Sequence, residues 1–336
     1  MQRKTLATLA QCGPWKSKNG AARVFLKRIC PSLSVLRMNL SSSQKSEASG
    51  KRAHSEIKNE FPHKIGFIGS GNMAKAIAFS ILDSGISSPK HIVASGTTLQ
   101  HFATWKERGV ATTFDNAEVV DFADIVFIAA PPQHFTDVVS SLQKSKLSVD
   151  YQKCFVSTMG GKTIKSLEEA LSSVVGLKVA PQVIRITPNM PSMIGAGCCI
   201  MACDEAGKYT KAVQKILRAS GTCEVVPERL MNACAATCGC GPAYLYLVIE
   251  SLADGAVRAG VSRDLAYRLA AQTVVGAGQM VLKTGKHPGV LKDEICSEGG
   301  STIAGVHALE EGGVRRSFIN AVVAATKRAG ELGSGK

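Results

Sequence analysis

Two glycines and two hydroxyl residues stand side by side in the C-terminal part of the chain, at Gly299, Gly300, Ser301 and Thr302. Apolar residues at helical spacing follow them directly, so this segment is predicted to open a helix. Free backbone N–H groups and the helix dipole attract anions at such a start. The spacing equally fits a Ser or Thr cap after a flexible turn. The segment by itself leaves both interpretations open.

A second segment that could take part in ligand binding is GSGNMA, which fits the G-x-G-x-x-G/A fingerprint of dinucleotide-binding proteins. Its members are Gly69, Ser70, Gly71, Asn72, Met73 and Ala74. The first glycine permits a tight turn, the second lets a pyrophosphate approach the backbone, and the alanine keeps the helix close to the strand. An apolar strand pattern precedes the segment and a helical pattern follows it, as a dinucleotide site requires.

The position about twenty residues beyond the fingerprint bears on the choice of cofactor, because an acid there pairs with the ribose of NAD. Here the stretch is VASGTT and holds no carboxylate. The hydroxyls of Ser95, Thr97 and Thr98 could instead bond a 2′-phosphate, although no arginine stands beside them. We therefore expect NADPH as the cofactor, with NADH still open.

The elements that must position these segments divide the chain into three parts. Strand and helix patterns alternate from residue 61 to 226, which predicts a Rossmann-type, doubly wound parallel α/β sheet. From residue 227 to 336 the pattern is helical and rich in alanine and glycine. We predict a dinucleotide-binding domain at 61–226, an all-α domain at 227–336, and a separate leader at 1–60.

The leader explains most of the net charge. Residues 1–60 hold twelve Lys and Arg against three Glu, so they carry nine of the fourteen net positive charges. The remainder is only mildly basic, which argues against nucleic-acid binding. A basic, serine-rich start without an acid before Glu47 is typical of an organelle transit peptide. We expect a mitochondrial protein; a plastid or cytoplasmic location, with the leader a disordered basic tail, is the alternative.

The cysteines and one long apolar run bear on metal binding and membrane association. The eleven cysteines lack the spacing of a zinc site, so no metal is predicted and the thiols are expected to be free. The uncharged run 230–249 is long enough to span a bilayer, but polar residues and the Gly241-Pro242 break dilute it. We predict a buried interface helix and no membrane association.

Several stretches together resemble the pyrroline-5-carboxylate reductases, from GFIGSGNMA through VIRITPNMP and GPAYLYLVIESLADGAVRAGV to HPGVLKDEICSEGGSTIAGVHALEEGG. The resemblance spans residues 64–334. It implies NAD(P)H-dependent reduction of 1-pyrroline-5-carboxylate to L-proline, the last step of proline biosynthesis. It also implies an all-α oligomerisation domain that pairs subunits, active sites shared between protomers, and a homo-oligomer built from dimers, with a decamer as one candidate size.

The same resemblance assigns site residues. The cofactor contacts it implies are the fingerprint residues together with Ser95, Asn116, Ala129, Ala130, Pro131, Ser157, Thr158, Met159 and Gly160. The substrate contacts it implies are Ser297, Gly299, Gly300, Ser301 and Thr302. The glycine turn would grip the substrate carboxylate, and Thr302, the catalytic residue, would face the ring nitrogen. His287 and His307 are expected to be structural.

The chain departs from the family pattern at several positions. Glu298 stands where the family usually has proline, Pro131 where lysine is common, and Cys238 and Cys240 where serines are usual. STMGG is bulkier than the usual turn. Two alternatives therefore remain. One is another imine or β-hydroxyacid reductase with a catalytic lysine among Lys283, Lys286 and Lys292; the other is a catalytically weak oligomeric homologue.

Overall fold

The computed structural model describes residues 61–203 and 207–333 of the 336-residue chain. Within them the α/β part consists of strands and helices in near-regular alternation. The strands are β1 (Ile65–Ile68), β2 (Ile92–Ser95), β3 (Ala111–Thr113), β4 (Ile125–Ile128), β5 (Cys154–Ser157), β6 (Gln182–Thr187), β7 (Gly197–Ala202) and β8 (Gly221–Val225). The helices are α1 (Asn72–Asp83), α2 (Leu99–Glu107), α3 (Asn116–Phe122), α4 (Phe135–Gln143), α5 (Ile164–Ser172) and α6 (Thr210–Arg218). The leader predicted at 1–60 lies outside the described residues.

The strands form one sheet in the order β3-β2-β1-β4-β5-β6-β7-β8. The chain leaves β1 toward β2 on one side and returns with β4 on the other, so the sheet is doubly wound. All residues of β1 and β4 are buried, because helices cover both faces of a parallel sheet. The helix after the fingerprint buries Ala74, Ile77, Ala78 and Ile81 at helical spacing. The predicted fold class is confirmed.

The sheet differs from the expected parallel arrangement at one pair. Strand β7 runs antiparallel to β6, with Ile186 paired to Met201, and then parallel to β8. The connection from β6 to β7 is a short turn that includes a 3-10 segment at Met190–Ile194. A connection without a crossover helix returns the chain in the opposite direction, which the periodicity of the strands does not reveal.

Beyond β8 the described residues in regular structure are helical. The helices are α7 (Met231–Cys238), α8 (Gly241–Arg258), α9 (Arg263–Thr284), α10 (Pro288–Ile295), α11 (Ser301–Glu311) and α12 (Val314–Gly333), preceded by a 3-10 turn at Glu228–Leu230. Helices α8 and α9 share only a small buried cluster of Ala253, Ala266 and Ala270. Many large apolar side chains stay exposed, among them Leu245, Tyr246, Leu247, Leu269, Leu282 and Ile319. A single copy of this region leaves much apolar surface uncovered.

By length and composition, the described stretch Glu228–Arg258 could cross a membrane, and few of its residues are buried within one copy of the chain. The stretch is not one continuous helix, because α7 ends at Cys238 and α8 begins at Gly241. The expectation of no membrane association stays a prediction.

One buried ion pair fastens the start of the helical region to the sheet. Glu228 Oε1 accepts hydrogen bonds from Arg185 Nη1 of β6 at 3.0 Å and from the backbone N–H of Ile164, the first residue of α5, at 2.8 Å. The Arg185 side chain is only 8% exposed. Removal of Glu228 would leave a buried cation and a helix-start N–H without partners, and such groups are costly to bury alone.

We expect Glu228→Ala to lower the free energy of unfolding by about 2–3 kcal/mol, measured by urea denaturation. Glu224→Ala is the matched control, since Glu224 is exposed on β8 and should change stability by less than about 0.5 kcal/mol. Equal stability of the two variants would contradict a structural role for the Arg185 pair.

Candidate active site

The carboxyl ends of β1 and β4 define the position of the site. Ile68 pairs with Ile128 at the point where the strand order reverses, and ligands bind beyond such ends in open α/β sheets. A cleft of about 650 Å³ opens there. Residues of the segments 68–73, 96–101, 114–116 and 129–141 line it.

The glycine turn of the fingerprint shapes the floor of this cleft. Gly69 has φ +104°, and a Cβ built on it would lie 2.8–2.9 Å from backbone atoms of Ala129 and Ala130. A Cβ on Gly71 would meet nothing within 4 Å, so its backbone faces open space. Gly71 is also the N-cap of α1, which among the described residues has no side-chain cap. The turn thus offers uncapped N–H groups beside space for an anion.

Helix α2 is anchored to this turn by a buried tryptophan. Trp105 Nε1 donates a hydrogen bond to the Ser70 carbonyl oxygen at 3.1 Å. Gly96, which follows β2, leaves room for the Ser70 side chain, because a Cβ there would lie 2.3 Å from Ser70 Oγ. The fingerprint turn, the end of β2 and the first turn of α2 therefore form one packed unit.

Ser95 has a different environment from the one expected for a direct ligand. Its side chain is fully buried, and Ser95 Oγ donates to Asn116 Oδ1 at 2.6 Å. Asn116 Nδ2 in turn donates to Ser141 Oγ at 2.9 Å. Asn116 and Ser141 line the cleft, whereas Ser95 does not. Ser95 thus orients the Asn116 carboxamide.

The other predicted cofactor contacts divide into two groups. The fingerprint residues Gly69 to Met73 and the strand end Ala129, Ala130 and Pro131 line the cleft, while Ala74 is buried against the sheet. The residues after β5 do not line it: Ser157 and Met159 are buried, and Thr158 Oγ1 donates to the Ile128 carbonyl at 3.2 Å. Gly160 is exposed. These four residues lie at the same sheet edge, outside the cleft wall.

The glycine and hydroxyl segment does open a helix, but not with a hydroxyl cap. Gly300 is the N-cap of α11, Ser301 is its first residue, and no side chain among the described residues caps this start. Gly299 has φ +64°, a left-handed conformation that favours glycine. The first N–H groups of α11 therefore stay available to a ligand. This agrees with the anion-binding interpretation of the segment and not with a Ser or Thr cap.

The side chains around that helix start face solvent in a single copy. Ser297, Ser301 and Thr302 are exposed, and Gly300 packs so closely that a Cβ would lie 2.3 Å from Ser297 Oγ. Glu298 is exposed as well. Among the described residues, none from 228–333 lines the nucleotide cleft. In one copy of the chain, the predicted substrate residues 297–302 therefore do not line the cleft that holds the predicted cofactor residues.

The remaining chemical groups near these segments have structural partners. His287 Nδ1 accepts a hydrogen bond from the Gly289 N–H at 3.1 Å and caps α10. His307 lies 3.6 Å from Glu311 on the same helix. Burial, with the neighbouring Cys198 thiol contributing, raises the pKa of Cys238 to about 11, so this thiol stays protonated at neutral pH.

Five polar or aromatic residues of the cleft wall were not predicted from the sequence: His101, Phe114, His134, Asp137 and Ser141. His101 lies on α2, Asp137 and Ser141 lie on α4, His134 is the N-cap of α4, and Phe114 comes just before α3; their spacing matches no motif. The available signal was topological, since residues that follow β2 and β4 must lie beyond the carboxyl ends of those strands.

Two family models match separate parts of the chain. Residues 228–332 match the family model described as pyrroline-5-carboxylate reductase dimerisation. Residues 64–161 match the model described as NADP oxidoreductase, coenzyme F420-dependent.

Individual relatives resemble nearly the whole described chain. Pyrroline-5-carboxylate reductase 3 of Danio rerio is 40% identical over 282 residues, which cover 83% of this chain and 95% of the relative. Pyrroline-5-carboxylate reductase of Arabidopsis thaliana is 42% identical over 279 residues, with coverage of 80% and 95%.

Solved structures show the same relationship. A pyrroline-5-carboxylate reductase from Coxiella burnetii superposes with a TM-score of 0.72 at 33% identity and covers 80% of this chain and 98% of its own. The Plasmodium falciparum pyrroline carboxylate reductase with NADP bound gives a TM-score of 0.69 at 31% identity, with coverage of 82% and 99%. Since the identity is this high over almost the full length of these relatives, the chain belongs to the pyrroline-5-carboxylate reductase family.

Proposed function

We propose that the protein reduces 1-pyrroline-5-carboxylate to L-proline with NADPH. The observation that carries this proposal is the uncapped start of α11 at Gly300, in a chain whose relatives are named for this reaction. The substrate is a cyclic imine with a carboxylate, so it needs an anion site and a partner for its ring nitrogen. The N–H groups of α11 and the adjacent Thr302 hydroxyl supply groups of those types.

The cleft fits a dinucleotide. Uncapped N–H groups at the start of α1 suit a pyrophosphate, and the open space at Gly71 lets it approach the backbone. Asn116 presents a carboxamide whose orientation Ser95 and Ser141 fix. When bound, a reduced nicotinamide supplies the hydride.

In the proposed mechanism, the chain's own residues mainly bind and align. The α11 N–H groups and Ser297 hold the substrate carboxylate, and Thr302 Oγ1 hydrogen-bonds the ring nitrogen. A protonated imine is already electrophilic, so alignment of its carbon with the cofactor provides much of the rate. The reaction then requires no His/Asp pair.

A homodimer would bring the two halves of the site together. We propose that α8 to α12 of two protomers pack through apolar surfaces that one copy leaves exposed, and that the Gly300 turn of one protomer reaches the cleft of the other. An assembly of five dimers is the larger state to test by light scattering. The same packing would cover the apolar stretch Glu228–Arg258.

Oxidation of NADPH in the presence of 1-pyrroline-5-carboxylate tests the function. The proposal expects substrate-dependent oxidation, with NADPH used more efficiently than NADH. Cofactor binding without turnover would instead identify the catalytically weak homologue. Of the three lysines that the alternative reductase would use, Lys286 and Lys292 are paired with Glu294 and Asp293, whereas Lys283 is exposed, so Lys283→Ala tests that alternative most directly.

We also propose that residues 1–60 direct the protein to mitochondria. The excess of basic residues and the absence of an acid before Glu47 support this proposal. A fluorescent protein fused behind residues 1–60 should enter mitochondria, and a chain that begins at Phe61 should stay soluble and active. Plastid or cytoplasmic fluorescence, or inactivity of the shortened chain, would contradict it.

A further inference from the structure

The wall of the cleft beyond β2 holds no carboxylate among the described residues that line it. Gly96, Thr97, His101, Phe114 and Asn116 form this part of the wall. In dinucleotide-binding folds the ribose of the adenosine half lies at the end of this strand, where an acid would favour a free 2′-hydroxyl. The composition here instead suits a phosphorylated ribose.

Of the two histidines that line the cleft, His101 has no side-chain partner among the described residues. Two histidines line the cleft, and His134 Nδ1 already lies 3.2 Å from Asp137 Oδ2. Within the described part of the chain, no side-chain hydrogen bond or ion pair engages His101. Its exposed ring can therefore donate to a ligand without first breaking another contact.

The position of His101 is fixed by its neighbours on α2. Phe102 and Trp105 are buried, and Trp105 is bonded to the Ser70 carbonyl of the fingerprint turn. The first turn of α2 is thus held against the turn that would receive the pyrophosphate. A donor on this turn is preorganised, which lowers the cost of ordering it when a ligand binds.

We propose that His101 is the side chain that recognises the 2′-phosphate of NADPH, with the Thr97 hydroxyl beside it. This inference rests on the proposed function and refines it. Ser95 cannot take this role directly, because its hydroxyl is fully buried and bonded to Asn116. An imidazole N–H donates to phosphate in either protonation state, so recognition does not depend on a charge.

Binding of two nucleotide fragments to the full chain tests this role without turnover. Isothermal titration would compare adenosine 2′,5′-bisphosphate, which carries the 2′-phosphate, with adenosine 5′-monophosphate, which lacks it. His101→Ala should weaken the bisphosphate about tenfold and change the monophosphate less than about twofold. His101→Arg should restore binding of the bisphosphate, since guanidinium also pairs with phosphate.

His134→Ala is the matched control, because this histidine lines the same cleft but is already paired. It should leave the preference for the bisphosphate unchanged. The inference is overturned if His101→Ala keeps the wild-type preference, if it weakens both fragments equally, or if His134→Ala abolishes the preference. Failure of the proposed function looks different, because wild-type protein would then show no substrate-dependent NADPH oxidation whatever the His101 variants do.

Discussion

Gly69→Ala is expected to abolish tight NADPH binding. The added Cβ would lie 2.8–2.9 Å from three backbone atoms of Ala129 and Ala130, and φ +104° is strained for any L side chain. Backbone cannot yield as a flexible side chain can, so the fingerprint turn must shift. We expect affinity for NADPH to fall about a hundredfold, because a shifted turn loses one or two backbone hydrogen bonds to the charged pyrophosphate, each worth about 1.5–3 kcal/mol.

Fluorescence titration with NADPH measures the affinity of Gly69→Ala. Gly85→Ala is the control for backbone strain that arises at a positive-φ glycine away from the cleft. Gly85 also has positive φ, +69°, but a Cβ there meets nothing within 4 Å, and it lies outside the cleft wall. This control should lower stability by about 1 kcal/mol and leave the NADPH affinity unchanged. Wild-type affinity in Gly69→Ala would show that the cofactor binds elsewhere.

Co-expression of two impaired variants is expected to restore activity. Thr302→Ala alone should lower kcat/KM about tenfold to a hundredfold, because it removes one hydrogen bond to the substrate. Gly69→Ala should be nearly inactive for lack of cofactor. If one protomer's cleft works with its partner's Gly300 turn, random mixing gives about a quarter of sites with both halves intact.

The specific activity of the co-expressed protein should therefore exceed that of a reference sample. The reference contains the two variants purified separately and combined under conditions without subunit exchange, so its activity is the average of the two. Differently tagged subunits and two affinity steps would confirm that mixed assemblies are present. Activity no higher than that average would place the cleft and the Gly300 turn of a single site on the same protomer.

Local sequence patterns predicted the elements of the sheet well, because burial on both faces imposes continuous apolar runs. The fingerprint at Gly69 and the helix after it follow from such rules. The reversal at β7 does not, since the strand pattern of GCCIMA is the same in either direction.

Sequence patterns predicted the position of the site residues better than the orientation of their side chains. Sequence placed Gly300 and Ser301 at a helix start, but only the backbone shows that the glycine is the cap and the hydroxyls are not. Ser95 was expected at the cofactor, yet the last residue of a strand can face either way, and here it is buried. His101 carried no signal, because an isolated histidine on a helix is common and its meaning depends on β2 and the cleft.

Transfer of deuterium from NADPH that carries two deuterium atoms at the nicotinamide C4 tests the central claim most directly. The account predicts that incubation with 1-pyrroline-5-carboxylate yields proline that carries one deuterium on the former imine carbon, detected by mass spectrometry and NMR. It further predicts that Gly69→Ala loses this product at cofactor concentrations that saturate the wild-type protein. Oxidation of the labelled NADPH without deuterated proline would contradict the account.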